Sequence, residues 1–201
     1  MSLFKGGVSI KLMIQKLREV LAKRPVAQLT EPDKKISAVL VPVFLKAGKY
    51  HLLFIQRTER VKDHKGQISF PGGAYEKADS TLLDTALREA SEEIGLIPKD
   101  VDILGQLDDT PTTTSNYIIS PFVGLIPYPY NFKPDKWETE EILEVPLAVL
   151  QNKNNYSETT VLISGQMLDT GCYKFGDRVI WGATSIILKQ FLGIIAEFTA
   201  S

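Results

Sequence analysis

The chain has 201 residues, 44% of them hydrophobic and 23% charged, which is the ordinary mixture of a soluble globular protein. A formal net charge of −1 gives no general pull toward nucleic acid or anionic membrane, so neither is expected as a partner. The single cysteine, Cys172, allows no internal disulfide and fits a reducing cytoplasm, and no stretch has the character of a signal or membrane segment.

Residues 8–24 read as an amphipathic helix with Ile10, Met13, Ile14, Leu17, Val20 and Leu21 on one stripe, ended by Pro25. A polar link through Pro32 follows, so residues 1–35 form a helix and link expected to pack on a domain spanning 36–201. The β-branched run 36–44 predicts a buried strand, with 50–56 as its partner across Lys46-Ala47-Gly48. Residues 58–73 form a long loop, a segment type that often carries function. A helix over 81–94 comes next, with Asp79, Ser80 and Thr81 as N-cap candidates, Gly95 as its stop and Pro98 just beyond. Strands are expected near 101–107, 117–126, 137–143, 158–164 and 171–180, and a helix over 182–196 closes the chain. Helices before, between and after strands suit an α/β fold, a sandwich around a mixed sheet.

The helix over 81–94 carries the chemistry. Leu83, Ala86, Leu87, Ala90 and Ile94 recur with helical period and form its core-facing stripe. Beside that stripe Glu89, Glu92 and Glu93 stand three and four apart, close enough for like charges to repel. A hard divalent cation, Mg²⁺ or Mn²⁺, would relieve that repulsion; a solvated charged face is the alternative. Upstream, Phe70-Pro71-Gly72-Gly73 can turn sharply and bring backbone close to a ligand. A glycine turn feeding an acid-studded helix suits a diphosphate and its metal.

These residues resemble the Nudix hydrolase signature. Arg88-Glu89-Ala90-Ser91-Glu92-Glu93-Ile94-Gly95-Leu96 fits its second half at every fixed position. The first half departs from it: Gly73 stands fifteen residues before Arg88 rather than fourteen, and Ser80 falls where a glutamate is expected. One extra loop residue, with Asp79 or Glu76 serving for that glutamate, accounts for the difference. The preceding run from Arg57 to Gly73 is similar to the segment ahead of the box in coenzyme A pyrophosphatases, although Lys62 stands where an arginine is usual. Thr85 to Ala90, Ser120 to Gly124, Glu144 to Leu147 and Ile180 to Thr184 extend that likeness.

The resemblance implies a Nudix fold, an α/β/α sandwich around a mixed sheet, and metal-dependent hydrolysis of coenzyme A or a derivative to 3′,5′-ADP and 4′-phosphopantetheine. ADP-ribose, a nucleotide sugar or a dinucleotide is the rival substrate, and a non-catalytic nucleotide-binding regulator the rival of another class. Glu89 and Glu93 are the first expected ligands of Mg²⁺ or Mn²⁺, with Glu92 shared. Arg88 is expected to orient a box glutamate. The general base is left among Glu93, Glu138 and Glu141, the last two being as readily a solvated acidic turn. Arg57, Arg60, Lys62, His64 and Lys65 are expected near the substrate phosphates, with Gly72 and Gly73 at the turn and Thr112 to Tyr117 bordering the adenine or pantetheine. The family also implies a homodimer, which nothing in these residues encodes.

Overall fold

Strands buried on both faces organise the structure, a computed structural model that describes residues 10–60, 65–113, 115–163 and 166–199. After helix α1 (Ile10–Lys23), strands β1 (Lys35–Lys46) and β2 (Lys49–Arg57) form a hairpin. Its turn falls on Ala47 and Gly48, whose φ values of 48° and 73° match the twist of the flanking strands. Two short strands lie within the segment expected as loop: β3 (Ile68–Ser69), on the end of β2, and β4 (Gly72–Ala74), against β1. Helix α2 (Leu82–Ile94), β5 (Asp102–Gln106), β6 (Thr110–Pro111) and β7 (Tyr117–Leu125) follow. Strand β7 runs parallel to β1, while β2, β4 and β5 pair antiparallel with their neighbours, so the sheet is mixed.

Strand β8 (Thr139–Pro146) pairs with β2 and leads into the short helix α3 (Leu147–Leu150). Strands β9 (Tyr156–Ile163), β10 (Gln166–Phe175) and β11 (Arg178–Ile180) make a separate antiparallel sheet, and α4 (Gly182–Thr199) ends the fold. The strand expected at 171–180 is therefore a hairpin, turned at Gly176 with φ 63°. The strand expected at 137–143 begins two residues later and runs to Pro146, because Leu143 and Val145 both bury their side chains.

Alternation along β1 and β2 decides the layers. Ala38, Leu40, Phe44, Leu53 and Ile55 face α2, where Ala86, Ala90 and Ile94 meet them. Val41, Val43, Leu52 and Phe54 face the opposite way, toward Leu17 and Leu21 of α1 and Leu188, Phe191 and Ile195 of α4. Helices on both faces give the expected α/β/α sandwich. Leu17 is wholly buried, and shortening it to alanine would cost about 2–5 kcal/mol. Among the described residues no helix is long and apolar enough to cross a membrane.

Candidate active site

Helix α2 is fixed at both ends by its own sequence. Of the three N-cap candidates Thr81 takes the position, its Oγ1 accepting from Asp84 N at 3.1 Å. Gly95 closes the helix in the left-handed conformation, φ 69°, with its N–H on Ser91 O at 2.9 Å. With Ala86, Ala90 and Ile94 against β1, the three glutamates fall beside the stripe and go to different places.

Glu93 is 2% exposed. Its Oε2 accepts from Gly72 N at 2.9 Å and its Oε1 from Arg57 Nη1 at 3.1 Å. Burial pushes the Glu93 carboxyl up to about 8; Gly72 N–H and Arg57 oppose the rise, and Glu89 and Glu138 add to it. Glu89 lies under Gly73, where a Cβ would run into its carboxylate, and its carboxyl is also raised, chiefly by burial. Glu92 is 60% exposed and its Oε2 accepts from Arg88 Nη1 at 3.1 Å.

Arg88 gathers the loop around the helix. It donates to both oxygens of Asp79 at 2.9 and 3.1 Å, to Glu89 Oε1 at 2.8 Å and to Ala74 O at 3.0 Å. Asp79 is buried and also accepts from Glu76 N and Thr85 Oγ1, at 3.0 and 2.9 Å. The Arg88 hydrogen bonds hold its carboxyl well below the usual carboxylate range. Of the two loop acids expected to serve for the shifted glutamate, Asp79 is the one that meets Arg88, while Glu76 is exposed and contributes its backbone.

The far wall comes from the ends of β2 and β8. Gln56 pairs with Glu141 but Arg57 pairs with Thr139, so Glu140 is an extra residue that bulges from β8. Arg57 stays on the α2 face and reaches Glu93, with its Nη2 3.8 Å from Glu138 Oε2. The sequence groups Arg57 with Arg60 at the substrate phosphates; in the fold Arg57 turns to Glu93 and Glu138, while Arg60 lies over the Trp137 ring. Arg57 Nε and Thr139 Oγ1, across the strands from each other, are buried and have no hydrogen-bond partner among the described residues. Glu141 alternates to the opposite face, where Arg178 Nη2 donates to it at 2.6 Å. Lys62 and His64 lie outside the described residues, and Lys65 is exposed. The Thr112–Tyr117 turn closes on itself, Thr112 Oγ1 accepting from Tyr117 N at 2.8 Å.

The NUDIX domain family matches residues 34–161, well over half of the chain. The protein belongs to the Nudix family. It is 35% identical over 169 residues to the uncharacterized Nudix hydrolase NudL of Photorhabdus laumondii, covering 81% of this chain and 89% of that protein. NudL of Pectobacterium atrosepticum is 33% identical over 167 residues, covering 83% of each. Two solved structures share the fold at low identity. A MutT/nudix family protein from Enterococcus faecalis has a TM-score of 0.55 and 14% identity, covering 94% of this chain and 75% of that one. A NUDIX hydrolase from Alicyclobacillus acidocaldarius has a TM-score of 0.54 and 17% identity, covering 86% and 98%.

A Nudix hydrolase cleaves derivatives of nucleoside diphosphates, and the family works with divalent metal ions. The donor set here fits such an ion: Glu89 and Glu93 are oxygen donors whose carboxyls are raised chiefly by burial, and Glu138 lies near enough to add to both shifts. Among the described residues no three carboxylates converge as they stand into a complete ligand set. Glu92 in particular is turned to Arg88.

Proposed function

We propose that this Nudix hydrolase cleaves coenzyme A or a derivative of it to 3′,5′-ADP and 4′-phosphopantetheine. The observation that carries this reading is how the segment from Arg57 to Gly73 meets the buried acid. Arg57 at its start lies 3.1 Å from Glu93 Oε1, and the Gly72 N–H near its end lies 2.9 Å from Oε2. Both described ends of the stretch whose sequence is similar to coenzyme A pyrophosphatases therefore meet the candidate site, which supports this substrate class.

In this reading Glu89 and Glu93 hold the divalent ion, Mg²⁺ or Mn²⁺, with Glu92 able to join them. The ion would supply charge neutralisation at the phosphoryl oxygens and a more acidic water. Arg88 orients Glu89 while Asp79 fixes Arg88. Glu138 serves as the general base: its side chain is 44% exposed, its hold on Arg57 is long at 3.8 Å, and its charge reaches Glu89 and Glu93. Glu93, with both oxygens engaged, is better suited to a ligand than to receiving a proton. The amides of Gly72 and Gly73 shape the turn against which the phosphates lie. A homodimer, which the family resemblance implies, belongs to the same proposal.

The test is incubation with Mg²⁺ or Mn²⁺ and a panel of coenzyme A, dephospho-coenzyme A, ADP-ribose, NADH and nucleotide sugars, with products separated by chromatography. Preferred release of 3′,5′-ADP from coenzyme A is expected. Faster cleavage of another diphosphate would keep the chemistry and replace the substrate. No metal-dependent product at all would overturn the assignment of the site.

A further inference from the structure

Trp137 is 64% exposed, an unusual place for a large aromatic side chain, and the chemistry above does not use it. Its backbone, by contrast, is held on both sides. The Trp137 N–H donates to Asp135 Oδ1 at 2.9 Å, and its carbonyl accepts from Thr58 Oγ1 at 2.7 Å. Thr58 is buried, and the same hydroxyl accepts from Arg60 N at 3.3 Å while Thr58 N donates to Glu138 O at 2.9 Å. The Arg60 guanidinium lies 5.9 Å from the centre of the Trp137 ring.

One buried threonine thus holds the backbones of Trp137 and Arg60, and the Arg60 cation lies over one face of the indole. They stand directly beside Arg57 and Glu138, the wall of the carboxylate pocket. Indole, like other aromatic rings, and the guanidinium plane are surfaces on which nucleobases stack without regard to hydrogen-bond pattern. Because the backbone is already fixed, stacking a base here orders little that was mobile.

We propose that Trp137 and Arg60 form the base-binding platform of this site: the purine of the nucleoside diphosphate stacks on the open face of the exposed indole, with the Arg60 guanidinium over the other face. This rests on the reading of the carboxylate pocket as the diphosphate site. It places the nucleoside half of the substrate toward the 135–138 turn and gives Arg60 a role distinct from that of Arg57.

The chain has two tryptophans, Trp137 and Trp181, so the W181F variant keeps Trp137 as its only indole. Saturable quenching of its fluorescence by AMP, and none by ribose 5-phosphate, is the expected result. In steady-state assays W137A should raise KM for an adenine-containing diphosphate about tenfold relative to a base-free one, 5-phosphoribosyl 1-diphosphate, with W137F in between. Equal responses to AMP and ribose 5-phosphate, or equal losses on both diphosphates, would overturn the platform. If the wild-type protein hydrolyses neither diphosphate, the hydrolase reading fails, and the quenching result alone still decides whether a base binds.

Discussion

The backbone N–H of Gly72 donates to Glu93 Oε2 at 2.9 Å, joining the strand β4 to the last turn of α2. Gly72 has φ 155°, and a Cβ there would strike the Ala38 carbonyl and Val39 of β1. Only a glycine lets the chain press this close to the sheet and present an amide to a buried acid. The Glu93 carboxylate therefore has its orientation fixed by two partners from different strands, Gly72 and Arg57, before any ligand enters.

Glu93→Gln keeps the side-chain shape and, through its amide oxygen, the Gly72 contact, but its NH2 group cannot accept from Arg57. We expect turnover to fall by roughly 10³-fold while circular dichroism shows the fold retained. Near-normal turnover would remove Glu93 from the metal site.

Gly73→Ala separates position from charge. The Gly73 φ is not in the left-handed region, but the new methyl would land on the Glu89 carboxylate. Displacing that ligand by about an ångström should lower kcat about 10²-fold without loss of fold. Unchanged kcat in a folded variant would mean that Glu89 does not hold the ion where it stands.

The raised Glu93 carboxyl sets a pH dependence with a definite sign. Its ordinary value is 4.5 and its value in the metal-free fold is about 8, so between those limits the native state binds more protons than the unfolded chain. From this group, metal-free stability declines as pH rises from 4.5 to about 8 and is level above. Asp79, held low by Arg88, acts in the other direction and removes stability only in acid. With Glu93 as the proposed ligand, metal binding would expel its proton, so apparent affinity for Mn²⁺ should rise up to about tenfold per pH unit below 8 and then flatten. Calorimetric titration from pH 6 to 9 checks this; an affinity independent of pH across 6–8 would contradict it.

Thr58→Val keeps the shape of a buried side chain and deletes the hydroxyl that serves Trp137 and Arg60. Leaving those groups unpaired should cost about 1–3 kcal/mol, seen as a lower urea midpoint. Thr58→Ser should restore most of it. Equal stability of the valine variant would show that the 135–138 turn is held by other contacts.

Local sequence was a good guide to α2. The Thr81 cap, the Gly95 stop and the buried Ala86, Ala90 and Ile94 follow from helix geometry, whereas the glutamates divide, Glu93 buried with the core and Glu92 exposed beside Arg88. Pairings between distant segments were not legible. Nothing near Arg57 in the sequence points to Glu93 thirty-six positions on, because the sheet and helix have to assemble before the two meet. Asp79 and Glu76 fit the loop-acid position equally in sequence; the fold separates them by burying Asp79 against Arg88 and leaving Glu76 exposed. The β10–β11 turn was missed because β-branched and aromatic residues flank Gly176 on both sides and read as one strand. Thr58 lies in the run from Arg57 to Gly73 that carries the resemblance, but Trp137 belongs to no motif; an exposed aromatic next to acidic residues is its only signal.

The extra residue at Glu140 acts as a frameshift in the sidedness of β8. Under strict two-residue alternation Glu140 would stand opposite Arg57 and add another carboxylate to a pocket already crowded with negative charge. The bulge sends it to solvent and puts the buried, uncharged Thr139 there instead. The charge of the pocket is thus governed by the number of backbone units in one strand as well as by which residues are acidic. A change of length at an exposed position would alter the chemistry of a buried one.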